Sequence, residues 1–191
     1  GFFDSATPPD EVAAYVEEVG GELVLEEYVD GPELFVDGIV DSEGVPTSWS
    51  VWRYLRADAN GRQGVCLGAV QVRRHDPLFE QAVDYAGAVM RASGLRRNPF
   101  HLELKVDDRG PCLIEVAGRL PGADYATLDG ELHGTLDVFG VSAHHYLTDQ
   151  PYGAVELDWD AYDATVRGQV NGISTTTGRV FEVVGREQAE A

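Results

Sequence analysis

Basic residues are scarce in this chain. Only 14 Lys and Arg residues stand against 33 Asp and Glu residues, and Lys105 is the one lysine in 191 residues. The formal net charge is −19 at pH 7, and the isoelectric point is near 4.4. A surface of this sign repels phosphate backbones and anionic lipids, which excludes nucleic acid and membranes as general partners. Solubility explains the bulk of the charge, so the charge by itself does not indicate a metal site.

Cysteine and long apolar runs are also in short supply. Cys66 and Cys112 stand far apart and form no CxxC pair, so the sequence supports neither a zinc motif nor a redox motif. We expect Cys112 to be a packed thiol and the protein to be cytoplasmic. No apolar run approaches the roughly 20 residues that a membrane-spanning helix needs.

The residues that are present suit a globular protein with a sizeable core. Hydrophobic residues make up 43% of the chain and charged residues 25%. Apolar residues at helical spacing predict helices at 7–21 and 76–94. The second helix has Asp76 as its cap, Pro77 in its first turn and Gly94 as its stop.

Strands are predicted between and after these helices, from alternating or β-branched apolar runs at 22–29, 34–44, 45–57, 100–106 and 111–117. Residues 124–150 are predicted to be mostly helical, and residues 161–185 to form a β hairpin. The run at 65–72 is left unassigned. Alternating strands and helices indicate a mixed α+β (α/β) protein, with an antiparallel or mixed sheet flanked by helices.

The stretch "FHLELKVDDRGPCLIEVAGRLPG" places an acid inside each of two apolar strands. If Val106 opposes Cys112 across the turn, Glu103 faces Glu115 directly, whereas a slip of one residue puts the two acids on opposite faces. Opposed carboxylates repel unless a cation, a proton or a basic side chain lies between them.

Three interpretations of this acidic pair remain open from geometry alone. The glutamates can lie on a solvated face of the sheet, or they can pair with Lys105 or Arg119. They can also bind a divalent ion, because Mg²⁺ is usually held by one or two carboxylates together with substrate phosphates.

A second acidic segment, "LVLEEYVDGPELFVDGIV", follows a different pattern. Glu26 and Glu27 are adjacent, and Glu33 lies beyond a tight Asp-Gly-Pro turn. The end of a strand exposes main-chain groups that can bind the edge of a base, and a carboxylate can accept hydrogen bonds from two vicinal hydroxyls. This chemistry suits a nucleoside, although a plain solvated strand end fits the segment as well.

Together, the two segments resemble the central and C-terminal part of an ATP-grasp ligase in order, spacing and residue types, over roughly residues 10–150. The resemblance implies an ATP-grasp fold fragment with a small C-terminal β hairpin. It also implies an enzyme that activates a carboxylate with ATP and joins it to an amine. The expected cofactors are ATP and one or two Mg²⁺ ions, which Mn²⁺ can replace.

The resemblance assigns roles to the matching positions. The segment Glu26, Glu27, Tyr28 and Val29 would form the hinge over the adenine, and Glu33 would hold the ribose hydroxyls. Glu103 and Glu115 would bind the metal, and Arg119 would meet a phosphate or the acyl phosphate formed from the substrate. Arg53 is an added candidate for a phosphate contact, and His101 is expected to make a structural hydrogen bond instead.

The sequence also departs from the family. Ala117 stands where many members have Asn, a pattern that resembles the amino-acid ligases that make dipeptides and that puts the number of metal ions in doubt. Members of the family bind the ATP phosphates with lysines from their N-terminal half. This sequence does not contain those lysines, since Lys105 is the one lysine it has. We therefore expect a fragment without catalytic turnover. A degenerate, non-catalytic nucleotide-binding module and a ligase of the purine or carboxylase type are the alternatives.

Three ranges and several partners complete the expectations. Residues 1–55 would belong to the small lobe, residues 56–150 to the large lobe, and residues 151–191 to a β-rich C-terminal segment. The partners would be ATP and small carboxylate and amine substrates such as amino acids, and a homodimer is compatible with the resemblance. Three further histidines are expected to be surface or cap residues: His133, His144 and His145. Trp49 and Trp52 are expected to pack the small lobe.

Overall fold

The computed structural model describes residues 3–59, 61–134, 136–148 and 155–172. In chain order its elements are α1 (Pro9–Val19), β1 (Glu33–Val40), β2 (Pro46–Ala59), β3 (Arg62–Gln71), α2 (Pro77–Ser93), β4 (Asn98–Asp107), β5 (Gly110–Ala117), α3 (Tyr125–Leu132), α4 (Val138–Leu147), α5 (Trp159–Ala164) and β6 (Gly168–Val170). The mixed α/β class is confirmed.

One sheet of six strands carries the fold, in the order β5-β4-β1-β2-β3-β6. Every neighbouring pair of strands is antiparallel. The central strand β1 is buried along its length after Glu33. This explains why its apolar residues run nearly continuously, since a strand between two neighbours that is covered on both faces has no solvated side.

Helix α2 covers one face of the sheet and follows the sequence prediction closely. The Asp76 side chain accepts a hydrogen bond from the Leu78 amide at 2.9 Å, and Gly94 ends the helix in a left-handed conformation. Buried residues recur at helical spacing along one side, so α2 joins the main core through this stripe of Phe79, Ala82, Ala86 and Met90.

A buried polar contact ties α3 to the sheet. Asp129 is fully buried and accepts hydrogen bonds from the indole N–H groups of Trp49, at 3.1 Å, and Trp52, at 2.8 Å. Burial raises the pKa of Asp129 well above its ordinary value, and the nearby Asp37 carboxyl adds to the effect. The two tryptophans therefore pack the core and also satisfy a buried acid; their assignment to a small lobe stays a prediction.

Other sequence predictions are corrected by the fold. Residues 22–29 do not form a strand: they have no regular secondary structure, and Val24 and Leu25 are 85% and 90% exposed. An apolar run forms a strand only where another strand pairs with it, and in the described chain none does so here. The unassigned run at 65–72 lies mainly in β3, because β2 and β6 pair with it on either side.

The structure describes only residues 161–172 of the predicted C-terminal hairpin. Residues 161–164 belong to α5, so this part of the prediction is wrong, and residues 168–170 form β6 against β3. Residues 173–185 of the predicted hairpin lie outside the described residues.

The division into ranges 1–55, 56–150 and 151–191 stays a prediction. Strand β2 runs across the first boundary, and the sheet takes strands from all three ranges. Among the described residues, no helix combines the length and apolar character that crossing a bilayer requires.

Candidate nucleotide and metal site

The β4–β5 hairpin places its two acids directly opposite one another. Close to the turn, Val106 pairs with Pro111 and Lys105 pairs with Cys112. Continued without a change, this register would place Glu103 opposite Ile114. A β-bulge inserts one extra residue, Ile114, between the partners of Leu104 and Glu103 and so restores the facing pair Glu103 and Glu115. The predicted pairing is thus present, although the bulge and not the turn produces it.

Glu103 is held by two neighbours through one of its oxygens. The Tyr54 hydroxyl donates to Oε1 at 2.7 Å, and Nε2 of His101 lies 3.4 Å from the same atom. Within the described chain, no hydrogen bond or ion pair reaches Oε2. The side chain is 20% exposed, so one oxygen is anchored and the other remains available to a ligand.

A buried acid stands behind His101. Nδ1 of the ring lies 2.6 Å from Oδ1 of Asp37, a fully buried side chain on the neighbouring strand β1. Burial disfavours the charged imidazolium, but hydrogen bonds to Asp37 and Glu103 outweigh it and raise the pKa of His101 to about 9. The His101 hydrogen bond in turn lowers the pKa of Glu103 against the opposing effect of burial, so this carboxylate is ionised at neutral pH.

Glu115 and Arg119 are exposed. Arg119 Nη1 donates to the carbonyl of Leu120 at 3.0 Å. Burial raises the pKa of Asp37, and the contact with His101 and the charge of the Arg119 guanidinium oppose this rise without cancelling it. Lys105 instead donates to the Val29 carbonyl at 3.0 Å. Within the described residues, neither Lys105 nor Arg119 forms an ion pair with Glu103 or Glu115. His101 is the basic neighbour of Glu103, and a bound cation or a solvated face remain as interpretations of the facing pair.

A cleft of about 860 Å³ opens beside this hairpin. Its walls bring together Glu103 and most of the residues predicted to bind a nucleotide, namely Glu26, Glu27, Tyr28, Val29, Glu33 and Arg53. Glu115 and Arg119 are not part of the described lining, although Ile114 next to Glu115 is. A volume of this size matches a small-molecule site, for which cavities of roughly 300–1,000 Å³ are typical.

The segment 22–30 forms one edge of the cleft and belongs to no strand. Between described residues, no backbone–backbone hydrogen bond involves residues 22–27, so the main chain there presents N–H and C=O groups that a ligand can reach. The Lys105 ammonium anchors the segment: it reaches the Val29 carbonyl and lies 4.7 Å from the centre of the Tyr28 ring. Failure to form a strand therefore makes this segment suitable for binding the edge of a base.

Glu33, the predicted ribose ligand, is held in a fork by Arg56. Nε of Arg56 donates to Oε2 at 2.8 Å, and a second guanidinium nitrogen contacts Oε1. Each carboxylate oxygen has two lone pairs, so the bidentate contact orients Glu33 and leaves acceptor positions for two hydroxyl groups.

Gly31 lets the chain cross the end of β4 in close contact. A Cβ atom at this position would collide with the main-chain carbonyl of Val106, and the Val106 amide donates to the Pro32 carbonyl at 3.1 Å. The segment 22–30 therefore reaches the cleft through a crossing that has no room for a side chain.

Sequence reasoning missed several residues that shape the site. Tyr54, Arg56 and Asp37 carry no local motif, and their roles depend on strands that lie far apart in sequence. A polar residue in the middle of an apolar strand, as Asp37 is in "ELFVDGIV", was the one signal that could have been used. Two histidines predicted to be surface or cap residues, His133 and His145, are buried; His133 does cap α3.

The ATP-grasp domain family matches residues 10–127. Because this match spans more than half of the chain, the chain belongs to the ATP-grasp domain family. A search of curated protein sequences finds no significant match.

Solved structures agree on the fold. The chain is similar to the L-amino acid ligase from Bacillus licheniformis, with a TM-score of 0.71 and 19% identity over 96% of this chain and 45% of that one. It is also similar to the phosphoribosylaminoimidazole carboxylase ATPase subunit from Aquifex aeolicus, with a TM-score of 0.56 and 16% identity over 95% of this chain and 57% of that one. The chain therefore spans about half the length of these proteins.

Proposed function

We propose that this chain is the nucleotide- and metal-binding part of an ATP-dependent ligase that joins a carboxylate to an amine, with amino acids as substrates, through an acyl phosphate. The observation that carries the proposal is the facing pair Glu103 and Glu115, which borders a cleft lined by the segment 22–30 and by Glu33 and Arg53. Membership of the ATP-grasp domain family and the fold similarity to an L-amino acid ligase support it.

The donor set fits Mg²⁺ without requiring a complete protein cage. The described residues contain no group of three or more His, Cys, Asp or Glu side chains that could hold a metal. Mg²⁺ usually takes one or two carboxylates and completes its shell with phosphate oxygens and water. Glu103 and Glu115 would supply those carboxylates, and Glu103 already has an ionised group with one free oxygen.

When bound, the ion would neutralise charge on the ATP phosphates during transfer. The protein residues would position the reactants around it. The main chain at Glu27 and Val29 would contact the adenine, and Glu33 would accept the ribose hydroxyls. Arg53 lines the cleft and would approach a phosphate, whereas Arg119 would reach the acyl phosphate from outside the described lining.

ATP-dependent phosphate release by the full-length protein tests the reaction class. We expect release that requires Mg²⁺ and a pair of amino acids, because the amine must attack an activated carboxylate before turnover continues. Phosphate assays with all pairs of the common amino acids, and with each amino acid alone, provide the measurement and its control.

Two outcomes favour other functions. Release that requires an aminoimidazole substrate instead of amino acids would indicate the purine type, which the fold similarity to the Aquifex aeolicus subunit also supports. Binding of Mg-ATP without release under any condition would indicate a non-catalytic module, a reading that the single lysine of the chain favours.

Gly31→Ala is expected to weaken nucleotide binding by displacing the segment 22–30. The added methyl group collides with the Val106 main chain and cannot move aside as a flexible side chain would, at a cost of about 1–3 kcal/mol. Calorimetric titration with Mg-ATP measures the loss. Gly172→Ala is the control, because a Cβ there meets no atom of the described residues within 4 Å. Equal ATP affinity in both variants would contradict the hinge role of the segment.

A further inference from the structure

A continuous polar chain runs from the core of the sheet to the metal-site glutamate. Asp37 on β1 is paired with His101 on β4, and His101 contacts Glu103 two residues along the same strand. Residues two apart on a strand share a face, so the ring of His101 lies between one acid that is fully buried and one that is 20% exposed.

Stability alone does not account for this arrangement. A buried ion pair often contributes no more to stability than apolar residues of similar volume, because each charge loses its hydration. Oδ2 of Asp37 is buried with no hydrogen-bond donor among the described residues, unless the neighbouring Asp129 carboxyl carries a proton. Asp37 is fully buried, and its main contact is one histidine, so burying this acid costs free energy that the contact only partly offsets.

We propose that Asp37 and His101 are positioning residues that orient Glu103 for a divalent ion. Asp37 holds the His101 ring by Nδ1, while Nε2 of that ring and the Tyr54 hydroxyl hold Oε1 of Glu103. This leaves Oε2 of Glu103 for the ion. The inference rests on the proposed function, in which Glu103 binds the metal.

Orientation matters more here than in a site with more ligands. Ala117 pairs directly with His101 across the hairpin and offers no side-chain oxygen. With only two carboxylates available, each one that is already held in the binding rotamer reduces the side-chain entropy that the site loses when it binds an ion. Hydrogen-bond partners that orient metal ligands typically contribute about 10–100-fold in metal affinity.

Two substitutions of His101 separate its contacts. In His101→Asn the amide nitrogen takes the place of Nδ1 and keeps the contact with Asp37, but the shorter side chain does not reach Glu103, which keeps only its contact with Tyr54. In His101→Gln the amide nitrogen takes the place of Nε2 and reaches Glu103. We expect about 10–100-fold weaker metal binding for His101→Asn and a smaller loss for His101→Gln.

Mn²⁺ binding to the full-length protein is measured by electron paramagnetic resonance in the presence of a non-hydrolysable ATP analogue. This measurement does not depend on turnover. His133→Asn is the matched control, because His133 is buried and bonds the Trp49 carbonyl at 2.6 Å, away from the cleft lining. We expect it to lower stability and to leave the Mn²⁺ affinity unchanged.

Each result has a defined consequence. If the unsubstituted protein binds no Mn²⁺ with the analogue, the proposed function fails, and this inference fails with it. If it binds and His101→Asn binds equally well, the positioning role fails and the proposed function stands. Should His101→Asn not fold, Tyr54→Phe removes only the other anchor of Oε1, and an unchanged Mn²⁺ affinity in that variant overturns the inference.

Discussion

Glu115→Gln should reduce ATP-dependent product formation by the full-length protein by at least about 100-fold, because the substitution removes one of the two carboxylates that would neutralise phosphate charge. The fold should be unaffected. Glu115 is exposed, and substitutions at such positions usually change stability by no more than about 0.5 kcal/mol. Phosphate release at saturating Mg²⁺, together with a thermal unfolding curve, measures both properties.

Glu115 is a sharper test than its partner. Replacing Glu103 would also release the Tyr54 hydroxyl and the His101 ring, so a loss of activity could reflect local rearrangement. Glu43→Gln is the matched control: Glu43 is also exposed but lies in the turn between β1 and β2, beyond the end of β1 that is farther from Glu33. Normal turnover by Glu115→Gln would remove Glu115 from the metal site.

Asp129→Ala should lower the free energy of unfolding by about 2–4 kcal/mol, since a buried donor left without a partner costs about 1–3 kcal/mol. Two indole N–H groups, those of Trp49 and Trp52, lose their acceptor at once. Relief of the cost of burying the acid offsets part of this loss. Urea unfolding of the variant measures the difference.

The effect of Asp129→Ala should also depend on pH. The pKa of Asp129 is raised in the folded protein by burial and by Asp37, so the folded state keeps a proton that the unfolded chain loses near its ordinary pKa of 3.8. The stabilisation from this group is complete below that value and declines as the pH rises towards the folded pKa. The destabilisation should therefore be larger near about pH 5 than near about pH 8.

Asp124→Ala serves as the control for this second experiment. Asp124 precedes the same helix, is exposed, and makes no capping hydrogen bond with its side chain. Its replacement should change stability by no more than about 0.5 kcal/mol at either pH. Equal stability of the Asp129 and Asp124 variants would show that the two indoles find other partners.

The position of Asp129 also affects the site. Its carboxyl lies near enough to Asp37 for each acid to influence the pKa of the other, and Asp37 holds His101, which in turn contacts Glu103. A change in the core can thus reach the proposed metal ligand through three side chains. Asp129→Ala would accordingly be expected to lower metal affinity as well as stability, whereas Asp124→Ala would lower neither.

Local sequence determined those parts of the protein in which neighbours along the chain interact. The cap, proline and glycine signals of α2 placed its ends within a residue, because a helix satisfies most of its hydrogen bonds within a few residues. The polar turn between two alternating runs likewise specified the β4–β5 hairpin and put a glutamate in each strand.

Only the tertiary structure decided the remaining features. The bulge at Ile114 sets which residues of the hairpin face each other. Pairing between strands decides that residues 65–71 join β3 and that residues 22–29 join no strand. Asp129 meets Trp49 across 80 positions of sequence, and His101 meets Asp37 across 64. Such contacts depend on strand order and register, which local propensity does not encode.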